Sequence, residues 1–187
     1  PFRILVAGSG TGDAVVDLGR QVLRAGINAE FLAVDLSSAS LGIAQDRAAR
    51  IGLTNVCFEV RQLENLDPGR DGLFDYIDCC GVLHHMDDPQ SGLHALAHCL
   101  APDGGMGLML YGELGRTGVY DAQRIVALLD DGEEIDGTRI TRARDILQNL
   151  PRRNRLKTNP HFEKLAQFSD NEIADAFLHP RDRAYRV

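Results

Sequence analysis

In the first part of this chain, short apolar runs alternate with helical patterns. Ile4–Ala7, Glu30–Asp35, Asn55–Val60 and Met106–Tyr111 are nearly free of the polar alternation that a half-exposed strand shows, and Leu73–Cys80 is a further apolar run interrupted by Asp75 and Asp78. Such runs suit parallel strands buried on both faces. Between them, Val15, Leu18, Val22 and Ala25 recur at helical spacing, as do Leu41, Ala44, Ala48 and Ile51, and then Leu93, Leu96, Ala97 and Leu100. Gly26 and Gly52 stand where helices stop. Strand and helix in alternation, ending on a strand, predict an α/β fold with a right-handed, doubly wound, mostly parallel sheet.

The first strand runs into Gly8-Ser9-Gly10-Thr11-Gly12-Asp13. Glycines there permit a tight turn and close approach of a ligand to the backbone. A dinucleotide fingerprint requires Gly-x-Gly-x-x-Gly, and Asp13 occupies the place of its third glycine. An acid at that position repels a pyrophosphate, so a cofactor carrying an amine and a carboxylate suits the turn better. Asp13 reads as the N-cap of the first helix. Asp35, ending the second run, stands where doubly wound folds place an acceptor for ribose hydroxyls. The alternative is that it opens the next helix, a task Ser37 or Ser38 can perform alone.

Gly81-Val82-Leu83-His84-His85-Met86-Asp87-Asp88-Pro89 follows the fourth strand, with Asp88 and Pro89 as N-cap and first residue of a helix. His84 and His85 are thereby placed on the loop leaving the carboxyl end of that strand, the edge at which open α/β sheets bind ligands. Histidine is the side chain suited to proton transfer near neutrality. The competing reading packs one ring inward and leaves the other solvated.

The glycine turn, Asp35, the Leu83-His84-His85 loop and the Pro102-Asp103-Gly104-Gly105 turn together resemble the class I methyltransferases that use S-adenosylmethionine (SAM). The resemblance is firm over residues 3–120 and patchy beyond. It implies SAM as cofactor and S-adenosylhomocysteine as product. It places the cofactor on Gly8, Ser9, Gly10, Gly12, Asp35, Leu36, Gln62, Leu63 and Gly81, with Leu36 along the adenine and His84 or His85 as catalytic base. The acceptor it implies is a small molecule rather than a protein. Two departures stand out: Val6 where the family has an acid ending the first strand, and Gln62 where it has an acid facing the adenine amino group. A glutamine oxygen still accepts that bond, without charge assistance. The end of the chain is similar to a bacterial subgroup sometimes joined to tetratricopeptide repeats.

Beyond Tyr111 the signals become helical, at Ile125, Leu128 and Leu129, at Ile140, Ile146, Leu147 and Leu150, and at Ile173–Leu178. Residues 1–111 are therefore expected to form the SAM-binding core. Residues 112–187 are expected to form a helical cover of the same domain that binds the acceptor, with Asn159–Asp170 as a hinge or disordered stretch. No candidate for the last sheet strands precedes Val187, so they are expected to be absent from this sequence, as is whatever precedes Pro1. Arg116 and Tyr120 either line the acceptor pocket or cap and pack a helix.

Composition narrows the field. A net charge of −7 over 187 residues argues against a general nucleic-acid binder. No run approaches the ~20 apolar residues that span a bilayer, and a cytoplasmic protein is expected. Cys57, Cys79, Cys80 and Cys99 form no Cys-x-x-Cys pair and read as buried thiols. His94 and His98 share a zinc-compatible spacing, but without a following Glu they read as solvent-facing, and no metal is expected. The basic run Arg152–Lys157 is a solvated surface or a contact for an anionic acceptor. Two other functions remain open at this stage: a non-catalytic module of the same fold acting in a complex, and a nicotinamide-dependent oxidoreductase. The sequence leaves the oligomeric state undetermined.

Overall fold

The computed structural model describes residues 1–129, 134–179 and 181–186. They form two compact units, Pro1–Leu110 and Tyr111–Val187.

The first unit holds β1 (Phe2–Ala7), α1 (Asp13–Ala25), β2 (Ala29–Asp35), α2 (Ser38–Arg50), β3 (Val56–Val60), the short α3 (Pro68–Asp71), β4 (Phe74–Cys80), α4 (Pro89–His98) and β5 (Leu100–Met109). The sheet order is β3-β2-β1-β4-β5, and every pairing is parallel. Successive side chains on a strand point to opposite faces, so the apolar runs feed two cores. Ile4, Val6, Phe31 and Ala33 pack with Val15, Val22 and Ala48 of α1 and α2. Leu5, Ala7, Leu32, Val34 and Ile77 pack with Leu63, Leu83 and Leu96. Because all strands run one way, their carboxyl ends, and the turns that follow them, share one edge.

Local signals explain most boundaries. The Ser37 hydroxyl caps α2 by accepting from the Ser40 N–H. Asp88 caps α4 by accepting from Gln90 and Ser91, with Pro89 following. Several sequence expectations need correction. Gly12, not Asp13, is the N-cap of α1; Asp13 lies in the first turn, where an acid suits the helix dipole, and pairs with Arg47 at 2.6 Å. The fifth strand begins at Leu100 rather than Met106, and ends at Met109 rather than Tyr111. Leu100 pairs with Phe74 and Gly105 with Tyr76, so the Pro102–Gly105 turn is absorbed as an irregularity within the strand. On α4 the buried positions are Gly92 and Leu96, whereas Leu93 and Ala97 are exposed. On α1, Ala25 is exposed and Val16 and Gly19 are buried. Of the cysteines, Cys79 and Cys99 are buried but Cys57 and Cys80 are exposed, and all four are free thiols.

The second unit contains α5 (Val119–Leu129), α6 (Gly137–Gln148) and α7 (Asp170–Ile173), which continues as a π-helical turn, Ala174–Leu178. Val119, Ala122, Val126, Ala143, Leu147, Leu156 and Phe177 form its core. The Asn159–Asp170 stretch is ordered by two 3-10 turns rather than disordered. Phe162 and Leu165 enter that core, and the Asn159 amide donates to the Gly115 and Thr117 carbonyls at 2.9 and 3.0 Å. Arg116 is buried between the Tyr111 and Tyr120 rings and is ion-paired with Asp182. It ties the start of this unit to its end. Leu128 and Leu129 lie on the helix predicted for them but are exposed.

Candidate functional site

The carboxyl edge of the sheet gathers the residues singled out in the sequence. The Asp35 carboxylate ends β2 and accepts from two backbone N–H groups, Gly10 at 2.8 Å and Ser37 at 2.9 Å. One side chain thus clasps the glycine turn and starts α2. The glycines divide by task. A Cβ on Gly8 would collide with Val82 of the loop after β4. A Cβ on Gly12, at φ +91°, would stand 2.7 Å from the Ala44 Cβ and 2.8 Å from its Cα. Both positions serve close packing. Gly10, at φ +50°, has nothing within 4 Å of where a Cβ would be, so it faces open space. Beside it Ser9 is buried, and its hydroxyl has no hydrogen-bond partner among the described residues. A buried hydroxyl left unmatched is a cost that a ligand or a water removes.

The rest of the edge follows the strand ends. Leu36 is 69% exposed, uncommon for a leucine next to a buried strand. Gln62 is exposed and starts the 3-10 turn Leu63–Asn65, whose Leu63 is buried. Gly81 leaves β4 at φ +80°, its N–H bonded to the Met109 carbonyl. His84 and His85 lie on the next 3-10 turn. His84 is fully buried and His85 half-buried, their ring centroids 4.2 Å apart and edge-to-face.

Sequence reasoning missed Arg61. Its backbone N–H bonds the Asp35 carbonyl at 3.0 Å, and its buried guanidinium grips Asp71 at 2.7 Å and also Glu59. This cluster fixes the segment from which Gln62 projects. Burial alone pushes the Asp71 carboxyl up, but its bonds to Arg61 and to the Asp67 N–H outweigh that and hold it below the usual value. The Arg61 hydrogen bond does the same for Glu59. Depressed carboxyls stabilise the fold above the usual carboxylate range, and that stability is lost as pH falls through their folded values. Urea midpoints should therefore drop as pH is lowered below about 4. Asp71→Asn should flatten that dependence, and an unchanged slope would remove Asp71 from the cause.

Other candidates lie elsewhere or do nothing at the edge. His94 and His98 are exposed on α4, and His98 Nδ1 lies 2.7 Å from the His94 carbonyl. Among the described residues, no group of three His, Cys, Asp or Glu is placed to hold a metal ion. A cleft of about 560 Å³ lined by Arg3, Phe31, Cys57, Glu59, Arg70 and Phe74 includes none of the predicted site residues. No helix among the described residues is long and apolar enough to cross a membrane.

A parallel sheet whose first turn is clasped by an acid ending the neighbouring strand is the framework of a doubly wound α/β protein, a class that binds ligands at this edge. Residues 5–106 match the model of a methyltransferase domain, and the chain belongs to that family. Over 190 residues it is 37% identical to an uncharacterised protein of Synechococcus, the match taking in 99% of this chain and 44% of that one. It is 30% identical over 102 residues to a ubiquinone biosynthesis O-methyltransferase of Alkalilimnicola ehrlichii, covering 54% of this chain and 38% of the relative. The chain thus spans less than half the length of either. Among solved structures it resembles PKMT2 from Rickettsia typhi in complex with AdoHcy, with a TM-score of 0.75 at 18% identity, over 97% of this chain and 36% of that one. That likeness concerns the fold.

Proposed function

We propose that this chain binds SAM and transfers its methyl group to a small-molecule acceptor in the cytoplasm. The observation that carries the reading is the Asp35–Gly10 clasp beside the unmatched Ser9 hydroxyl and the open space at Gly10. These residues fit the cofactor: Asp35 keeps lone pairs for ribose hydroxyls, and Leu36 offers an exposed apolar surface to adenine. The Gln62 amide reads the adenine edge, Ser9 and Gly10 border the amino-acid part, and Leu63 and Gly81 complete the walls. Family membership supports the reading, as does the O-methyltransferase named among the relatives. The cofactor supplies an electrophilic methyl already activated by its sulfonium. The chain's work is then to align the acceptor and, for an acceptor that must lose a proton, to accept it at His85, the more accessible histidine. Acceptor contacts are assigned to residues 112–187.

Calorimetry with SAM tests this. Asp35→Ala should weaken binding by about 1.5–3 kcal/mol, the worth of hydrogen bonds to a charged acceptor. An unchanged dissociation constant would end the ribose assignment. Conversion of labelled SAM to S-adenosylhomocysteine in the presence of metabolite extracts separates an enzyme from a non-catalytic module. Thermal shifts with SAM but not with NAD separate it from an oxidoreductase.

A further inference from the structure

We propose that Asp78 is the anionic partner of the cofactor's α-ammonium group. The inference rests on the SAM reading above and adds the residue that recognises the cofactor's positive end. Asp78 lies on β4 in register with Val6 of β1 and Gly107 of β5. Neighbouring residues in register present their side chains to the same face. In that row Val6 is apolar and Gly107 has no side chain, so Asp78 is the row's polar group. Its neighbour on β1 precedes the glycine turn directly, with Ala7 between Val6 and Gly8.

The orientation fits. Asp78 Oδ1 lies 3.6 Å from the Sγ of Cys80, so the carboxylate leans towards the edge at which β4 ends. The Tyr76 hydroxyl fills the space over Gly107, 2.5 Å from where a Cβ would stand, and the same Asp78 oxygen lies 3.7 Å from that point. The side chain is half-buried, and burial pushes its carboxyl above the usual value despite the Cys80 thiol. A thiol is a weak donor, and among the described residues it is the hydrogen-bond partner that Asp78 has. A partly desolvated carboxylate matched this poorly is relieved by a cation.

Strand order says which part of the cofactor arrives there. Asp35 and Gln62 follow β2 and β3, and the glycine turn follows β1. With the nucleoside over β2 and β3, the amino-acid end points across β1 to β4. Asp35 already accepts from Gly10 and Ser37 and faces neutral hydroxyls. Asp78 supplies the charge that a cation requires.

The test compares two probes by calorimetry. S-adenosylhomocysteine carries the ammonium, whereas 5′-methylthioadenosine lacks the whole amino-acid group. Asp78→Asn should weaken S-adenosylhomocysteine roughly tenfold or more, as expected for a charged hydrogen bond, and leave methylthioadenosine unchanged. Equal weakening of both probes, or of neither, would overturn the proposal. Asp78→Thr is the second variant, with thermal unfolding recorded for each. Loss of the fold in both would also overturn it, because the carboxylate would then be structural. A wild-type protein that binds neither probe would instead refute the SAM reading itself.

Discussion

Gly10→Val should abolish SAM binding, a loss of more than about 100-fold, while the circular dichroism of the helices stays unchanged. Two effects combine. Gly10 holds φ +50°, a left-handed conformation that costs an ordinary L-residue about 1–2 kcal/mol and a β-branched one more. The new side chain meets no protein atom within 4 Å of its Cβ, so the fold tolerates its bulk. That bulk enters the space assigned to the cofactor's amino-acid part. Gly12 is the internal control. Gly12→Ala drives a methyl into Ala44, and overpacking of that kind lowers stability by about 1–3 kcal/mol. One glycine should thus cost binding and the other stability. Normal SAM affinity in Gly10→Val, measured by calorimetry, would sink the proposed role of the turn.

The two histidines should separate in the same way. If the acceptor must lose a proton, His85→Ala should reduce turnover by ~10²–10⁴-fold with little change in SAM affinity. His84 is fully buried, and His84→Ala should instead leave a cavity and lower stability by about 2–4 kcal/mol. A carboxylate acceptor needs no base, and wild-type turnover in His85→Ala would leave alignment as the whole mechanism. The variants should be assayed on any acceptor found in the metabolite screen.

The frame of the first unit was legible because uninterrupted apolar runs and helical spacing are local signals, and β1 to β4 fall within a residue or two of where those signals place them. The position of Asp35 at the edge was legible for the same reason: it ends a strand. Arg61 was not, because an arginine after a strand is ordinarily solvated. Its burial depends on Glu59 and on Asp71, ten residues further on, and only the fold brings these together. Asp78 read as a mere interruption of a strand, since the apolar and glycine neighbours in its row come from β1 and β5. The Asn159–Asp170 stretch lacks periodicity because its order comes from 3-10 turns and from Asn159 reaching carbonyls some forty residues earlier. The early start of β5 was hidden by Pro102 and the glycines, which usually end strands but here occupy a break in register.

The bond from the Gly10 N–H to Asp35 has a kinetic meaning. A glycine-rich turn left loose would sample many shapes, and only the competent fraction could capture a ligand, raising the apparent dissociation constant by the inverse of that fraction. Here the acid proposed to face the ribose also fastens the turn, so the competent shape exists before the ligand arrives and little ordering entropy remains to be lost on contact. Capture should then be a single fast phase whose rate rises linearly with cofactor concentration and reaches no plateau.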